Sequence, residues 1–164
     1  MPSASAPRRA KAIKIRVATP NDRAAIVRHR RNMFRDDLGS SAVALNAMAR
    51  TSAPFIERGL REGWYHGWLA MASGRAVAGA GVIVYDWPSN PRAPEQTQRA
   101  YLLNVYTEPA FRGRGIARRL VSRAISWARR NGFSTLWLHA SKAGRPIYSS
   151  MGFVPTNEMK LQLR

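Results

Sequence analysis

The sequence of 164 residues contains no cysteine and only three histidines. Without cysteine, neither a disulfide framework nor a thiolate nucleophile or metal ligand is available. His29, His66 and His139 lie far apart and show no HxH or HExxH spacing, so we expect no bound metal. The longest apolar run, residues 76–85, is about half the length of a membrane span, and we expect no membrane partner.

The first twelve residues, MPSASAPRRAKA, are small, polar and basic, and no hydrophobic segment follows them. This composition predicts a disordered tail and not a secretory signal. The remaining length is typical of one domain with a buried core. We therefore expect a cytoplasmic protein with a single domain over residues 13–164.

Residues 101–130 read as a strand, a short turn, a loop rich in arginine and glycine, and a long helix. The first backbone N–H groups of a helix have no intrahelical partner, and they can converge on an anion. Glycine lets the main chain approach such a ligand closely. The helix dipole and the arginine side chains add positive charge, so we expect a pyrophosphate to bind here. The loop consists of Arg112, Gly113, Arg114, Gly115, Ile116 and Ala117, and Arg118 and Arg119 follow it.

Two common phosphate-binding motifs are absent from this loop. There is no GxxxxGK[ST], and a dinucleotide fold would need GxGxxG and a later acidic residue, whereas the downstream region is basic. The loop instead resembles the acetyl-CoA pyrophosphate loop of the GNAT acyltransferase superfamily, (Arg/Gln)-x-x-Gly-x-(Gly/Ala). Arg112, Gly115 and Ala117 fill its three fixed positions.

A second segment, residues 141–153, is similar to the other signature of this family, a short helix that carries a tyrosine and ends at Gly-Phe. Tyr148 and Gly152-Phe153 match it. The resemblance implies that Tyr148 points to the coenzyme sulfur and protonates the leaving thiolate as a general acid. Ser141 stands where many members carry an asparagine, and it is either a coenzyme contact or a helix N-cap. Gly144 stands where alanine is usual.

The family resemblance also assigns a role to the strand before the loop. In the family this strand and the next one splay apart, and free main-chain groups bind the pantetheine arm. Counting back from Arg112 places the amide that polarises the acetyl carbonyl at about Val105. The implied coenzyme contacts are Val105, Tyr106 and Thr107. Hydrogen bonds to a developing oxyanion are typically worth about 3 kcal/mol of barrier.

The pattern of elements predicts an α/β (α+β) fold in the order β-α-α-β-β-β-α-β-α-β. The resemblance implies a GNAT-like mixed, mostly antiparallel sheet with helices on both faces. The first two helices, to about residue 37 and over residues 41–62, would form a wall of the acceptor cleft, with Pro54 splitting or kinking the second. The later predicted elements are strands at 64–71, 76–85, 133–140 and 153–163 and a short helix at 142–150, with a surface loop at 86–98.

The predicted activity is N-acetyl transfer from acetyl-CoA to a primary amine by direct attack in a ternary complex. An acyl-enzyme is not expected, because the sequence has no cysteine and no G-x-S-x-G. An alkylammonium must lose a proton before it attacks, and the sequence leaves the base open among Glu108, Asp86, His139 and water.

The formal net charge of +18 bears on the partners. It would suit nucleic acid or the ribosome, but 23 of the 27 basic residues are arginines spread through predicted helices, without a long basic run. We favour a small amine or amino acid, with a carboxylate or phosphate beside the amine steered in by the charge. A catalytically silent CoA-binding module and a basic nucleic-acid- or ribosome-associated protein are the alternatives, and the oligomeric state, a homodimer included, stays open.

Overall fold

The computed structural model describes residues 12–163, so the predicted tail lies outside the described residues except for Ala12. Its centre is one five-stranded sheet of β1 (Lys14–Val17), β2 (Tyr65–Ala72), β3 (Arg75–Asp86), β4 (Gln98–Thr107) and β5 (Leu136–Leu138). The strands lie in sequence order, and only β4 and β5 are parallel. The helices are α1 (Arg23–Leu38), α2 (Ala42–Glu62), α3 (Ile116–Arg130) and α4 (Arg145–Ser149).

The two faces of the sheet are covered by different helices. On one face, Leu120, Val121 and Ala124 of α3 pack in a buried cluster with small residues of β3 such as Ala78 and Ala80. On the other face, Ile26 of α1 and Ile56 of α2 pack in a second buried cluster. The cluster includes Tyr65 and Leu69 of β2. The expected mostly antiparallel sheet with helices on both faces is therefore confirmed.

Helix α2 begins and ends at strong local signals. The Ser41 hydroxyl accepts a hydrogen bond from the Ala44 N–H, and Gly63 ends the helix with a φ of 79°. The chain is not split at Pro54, which lies inside the helix. The proline costs the helix one backbone hydrogen-bond donor. The same helix buries Leu45 and Ile56 in the core, which stabilises it. Tertiary packing therefore outweighs the local cost. No helix within residues 12–163 is long and apolar enough to cross a membrane.

Strand β4 contains a bulge opposite β3. Gly79 pairs with Tyr106 and Gly81 pairs with Leu103, so Asn104 and Val105 together oppose a single residue. Asn104 has a φ of 55°, in the left-handed region. Its buried amide group donates a hydrogen bond of 2.9 Å to the Tyr65 hydroxyl on the α1 and α2 side of the sheet. The extra residue thus redirects the end of β4.

Beyond the first part of β4, the sheet opens. β4 and β5 pair only over Ala100–Leu136, Tyr101–Trp137 and Leu102–Leu138. From Leu103 onward, the edge of β4 that faces away from β3 has no strand partner among the described residues. The splay expected between these two strands is therefore present, and it begins just before the bulge.

The C-terminal segment differs from the sequence prediction. The strand expected at 133–140 is limited to Leu136–Leu138, the short helix begins at Arg145, and residues 153–163 form no strand. Two apolar residues of this segment, Met159 and Leu161, are 96% and 82% exposed, so they cover no face of the sheet. Glu158 of this segment forms an ion pair of 2.9 Å with Arg99, whose guanidinium stacks between Trp87 and Trp137.

We expect Gly81→Ala to lower the free energy of unfolding by about 1–3 kcal/mol, as overpacking does. A Cβ at this position would lie 2.3 Å from the Tyr65 hydroxyl oxygen, which the Asn104 amide holds in place. Gly79→Ala is the matched control, because its Cβ would meet the movable end of Leu69 at 3.0 Å. Chemical denaturation should rank Gly81→Ala as the more destabilised variant, and the reverse order would contradict this packing argument.

Candidate functional site

The loop before α3 presents a row of free donors. The backbone N–H groups of residues 113–118 have no hydrogen-bond partner among the described residues, and the first bond of the helix runs from the Arg119 N–H to the Gly115 carbonyl at 3.1 Å. Gly113 and Gly115 have φ values of 74° and 70°, which glycine adopts without steric cost. This geometry suits an anion with several oxygen acceptors.

The arginine side chains of the loop mainly fix its position. Arg112 donates from Nη2 to Asp36 Oδ2 at 2.7 Å and from Nε to the Thr107 carbonyl at 2.9 Å. Arg118 donates to the Ser150 hydroxyl of the segment after α4. Arg114 and Arg119 donate to the main-chain carbonyls of Ala110 and Ile13. The loop is therefore tied to α1, to β4 and to the C-terminal part of the chain.

Asp36 was not singled out by the sequence analysis, and it is the carboxylate that organises this side of the loop. Its Oδ2 accepts from Arg112 and from the Tyr106 hydroxyl, and its Oδ1 accepts from Arg35. Burial alone would raise the pKa of Asp36, but the hydrogen bonds from Arg35 and Arg112 outweigh it and lower the pKa. Asp36 therefore stays ionised and offsets part of the loop charge.

A cavity of about 500 Å³ lies between this loop, the free edge of β4 and α4. It brings together all the residues predicted to contact the coenzyme except Arg114, whose guanidinium lies over the Phe111 ring. The predicted residues that line it are Val105, Tyr106, Thr107, Arg112, Gly113, Gly115, Ile116, Ala117, Ser141 and Tyr148. The Thr107 hydroxyl is itself buried and has no hydrogen-bond partner among the described residues.

Tyr148 lies on α4 with its ring edge-on to Phe153. Burial raises the pKa of Tyr148 to about 12, so the phenol keeps its proton at neutral pH. A neutral, buried hydroxyl can act as a proton donor. The ring also explains Gly144, because a Cβ there would lie 2.8 Å from Tyr148 Cε2. With the ring in this position, the alanine usual in the family does not fit.

Ser141 has the capping role considered for it, and its role as a coenzyme contact stays a prediction. Its hydroxyl accepts a hydrogen bond of 3.1 Å from the Gly144 N–H, and its carbonyl accepts one from the Arg145 N–H, so it caps the turn that leads into α4. It also lines the cavity beside Tyr148. The cap orients α4, and through α4 it orients the phenol.

A second, larger cavity of about 850 Å³ lies between α1, α2 and the opened end of the sheet. Its walls are largely apolar, with Phe34, Leu38, Phe55 and Ile56 on the helical side. The two cavities share lining residues from α1, the bulge and α4. The shared residues are Met33, Asp37, Val105, Ser141 and Tyr148. The bulge and the phenol therefore stand where the cavities meet.

Of the three side chains considered as the base, only His139 lines either of these two cavities. Its Nδ1 contacts the Tyr101 hydroxyl. Glu108 is instead held by Arg75 through two bonds of 2.6 Å, and Asp86 accepts a bond from Gln98.

Helix α1 supplies site residues that the sequence analysis did not single out, Arg30 and Asp37 in the larger cavity. The signal was available in the helical spacing. Residues 30, 33, 34, 37 and 38 follow the pattern i, i+3, i+4, i+7, i+8, which puts them on one face, and all of them line this cavity. The five arginines of this helix at 23, 28, 30, 31 and 35 obscured it, since only one of them points there.

The sequence and the structure are similar to those of known acetyltransferases. The model of the acetyltransferase (GNAT) family matches residues 31–153. A GCN5-related N-acetyltransferase from Ralstonia eutropha JMP134 is 36% identical, with a TM-score of 0.87 over 93% of this chain and 99% of that one. A predicted acetyltransferase from Clostridium acetobutylicum, solved with acetyl-CoA, is 26% identical, with a TM-score of 0.83 over 93% of this chain and 96% of that one.

More distant structures share the fold alone. An aminoglycoside N-acetyltransferase in complex with CoA is 17% identical, with a TM-score of 0.66 over 95% of this chain and 97% of that one. No curated protein matches the sequence.

We expect Gly144→Ala to displace the Tyr148 ring and to lower the free energy of unfolding by about 1 kcal/mol. The backbone at Gly144 is helical, with φ −79° and ψ −27°. Without the overlap, alanine would therefore raise the free energy of unfolding by up to about 1 kcal/mol relative to glycine. The overlap with the ring costs about 1–3 kcal/mol and outweighs that gain. A crystal structure of the variant with the ring in its present position would contradict this expectation.

Proposed function

The chain belongs to the acetyltransferase (GNAT) family, whose members use acetyl-CoA, and we propose that it transfers the acetyl group to the primary amine of a small molecule or amino acid. The observation that carries the proposal is the meeting of two cavities at Val105, Ser141 and Tyr148. One cavity has the donors for a pyrophosphate, and the other is open to an acceptor. A group passed between them must pass the bulge and the phenol.

The residues of the smaller cavity fit acetyl-CoA. The free N–H groups of residues 113–118 would hold its pyrophosphate, and the unpaired edge of β4 would hold its pantetheine arm. Acetyl-CoA supplies the thioester whose acetyl group is transferred. The chain contributes binding, orientation and proton donation, and the main-chain N–H near Val105 is proposed as the donor to the acetyl oxygen.

Transfer is proposed to be direct, in a complex that holds both substrates. The chain has no cysteine and no serine in a G-x-S-x-G turn that could carry the acetyl group. Tyr148 then gives its proton to the departing sulfur, which is consistent with a phenol that burial keeps neutral. His139, which lines the acceptor cavity, or a water molecule takes the proton from the ammonium.

Replacing Tyr148 with phenylalanine should lower kcat about 100-fold and leave the affinity for acetyl-CoA nearly unchanged, because only the proton donor is removed. The ring that packs on Phe153 is retained. Thiol release measures the rate, and calorimetry measures the binding. Tyr85→Phe, which removes a hydroxyl outside both cavities, should keep wild-type turnover. Unchanged turnover in Tyr148→Phe would reject the phenol as the acid.

Gly115→Asp should abolish binding of acetyl-CoA, because it puts a side chain and a negative charge where the pyrophosphate approaches the backbone. The matched control is Gly132→Asp. Gly132 has a similar φ of 77° and open space around it, but it lines neither cavity. Both variants carry the same backbone strain and charge change. Normal binding in folded Gly115→Asp, measured by calorimetry, would show that the loop is not the phosphate site.

A further inference from the structure

The larger cavity contains a cation without a counter-ion. Arg30 lines it from α1, and its guanidinium carbon lies 4.9 Å from the centre of the Phe34 ring. Within residues 12–163, Arg30 takes part in none of the ion pairs. Burial lowers the pKa of Arg30, but an arginine remains charged at any physiological pH. A partly buried charge of this kind favours an anionic partner.

Other arginines of α1 already have partners outside the cavity. Arg23 pairs with Glu57, Arg35 pairs with Asp36, and Arg31 donates to the Asn46 side chain. Arg30 donates from Nη1 to Asn104 Oδ1 at 2.8 Å, which uses one of the five N–H groups of a guanidinium. The remaining N–H groups are available to a ligand with two acceptor oxygens, such as a carboxylate.

The position of Arg30 is fixed by the bulge. Asn104, which accepts from Arg30, also donates to the Tyr65 hydroxyl, and both residues are buried. Asn104 precedes Val105, whose main chain lies where the two cavities meet. The cationic group and the proposed reacting centre are therefore held by adjacent residues of one strand, so their separation is set by the fold.

The rest of the cavity suits a ligand that carries an ammonium group and an apolar part besides its carboxylate. Asp37 lines both cavities and forms no ion pair or side-chain hydrogen bond with the other described residues, so it can attract an ammonium group to the junction. Phe55, Ile56 and Leu38 supply apolar contact area. Lys160 adds a second positive charge at the cavity wall, which disfavours a polycationic acceptor.

We propose that Arg30 binds the carboxylate of the acceptor, which is a free amino acid with an apolar side chain. This substrate class rests on the proposed acetyl transfer. The amine is then directed to the junction near Asp37 and Tyr148, and the side chain occupies the apolar wall formed by α1 and α2.

The test compares amino acids with the amines that lack only their carboxylate. Thiol release from acetyl-CoA is measured with leucine, methionine and phenylalanine, and with 3-methylbutylamine, 3-(methylthio)propylamine and phenethylamine. We expect the wild-type kcat/KM to favour the amino acids by about 30-fold, the size typical of a hydrogen bond to a charged group. Arg30→Met should remove this preference by lowering kcat/KM for the amino acids only, and Arg30→Lys should keep part of it.

Arg31→Met is the matched control. It removes the same charge from the neighbouring position of the same helix, and Arg31 lines neither cavity. It should leave the preference at its wild-type value. An equal effect of both variants would assign the preference to the overall charge of the protein, and an equal loss on both classes of amine in Arg30→Met would assign Arg30 a purely structural role. Either result overturns the inference.

The two levels of the proposal fail in different ways. If acetyl-CoA binds but no amine of either class is acetylated, the proposed function is wrong and the inference falls with it. If the amines are acetylated as well as the amino acids, the inference alone is wrong. If circular dichroism shows that Arg30→Met is unfolded, the test uses the wild-type protein and folded Arg30→Lys. The inference then requires that the wild-type protein prefers the amino acids and that Arg30→Lys keeps only part of this preference.

Discussion

The extra residue in β4 is the feature on which the site depends. Because Asn104 and Val105 together oppose one residue of β3, the strand turns its edge away from the sheet just where β5 ends its pairing. Strand β3 has a glycine beside this distortion. Gly81 leaves room for the Tyr65 hydroxyl, which receives the Asn104 amide, so a side chain at that glycine would disturb the support of the bulge. A local irregularity is thus stabilised by buried contacts across three strands.

The two chemical motifs could be predicted because their signals are local. A glycine-rich turn at the start of a helix leaves free N–H groups whatever the rest of the fold does, and Tyr148 lies on a short helix just before Gly152. The last strand, predicted at 153–163, was wrong because strand formation depends on a partner strand elsewhere in the chain, and residues such as Met159 and Leu161 stay exposed. Helical spacing could place Arg30 on the cavity face of α1, but not its contact with Asn104, which lies 74 positions away.

The positive charge of the protein is not spread evenly over the structure, because many of its arginines are paired with acidic residues. Six of the nine acidic residues are paired with arginines, among them Glu108 with Arg75 and Asp36 with Arg112. Such pairs at the surface add little stability, but they fix long side chains and neutralise much of the local field. Arg30 differs from these arginines, since its side chain lines a cavity and has no carboxylate partner within residues 12–163. Composition alone could indicate attraction to anions, and the fold adds where an arginine without a carboxylate partner lies.

Helix α1 connects the two halves of the site. One face of it lines the larger cavity with Arg30 and Asp37, and Asp36 beside that face holds Arg112 of the loop before α3 at 2.7 Å. The helix docks on the sheet through His29, which lies under the Tyr106 ring and contacts the Ala76 carbonyl. Burial lowers the pKa of His29 to about 4, so this contact is uncharged at neutral pH and does not compete with the ion pairs. A shift of α1 would therefore change the loop before α3 and the larger cavity together, because one helix carries groups that contact both.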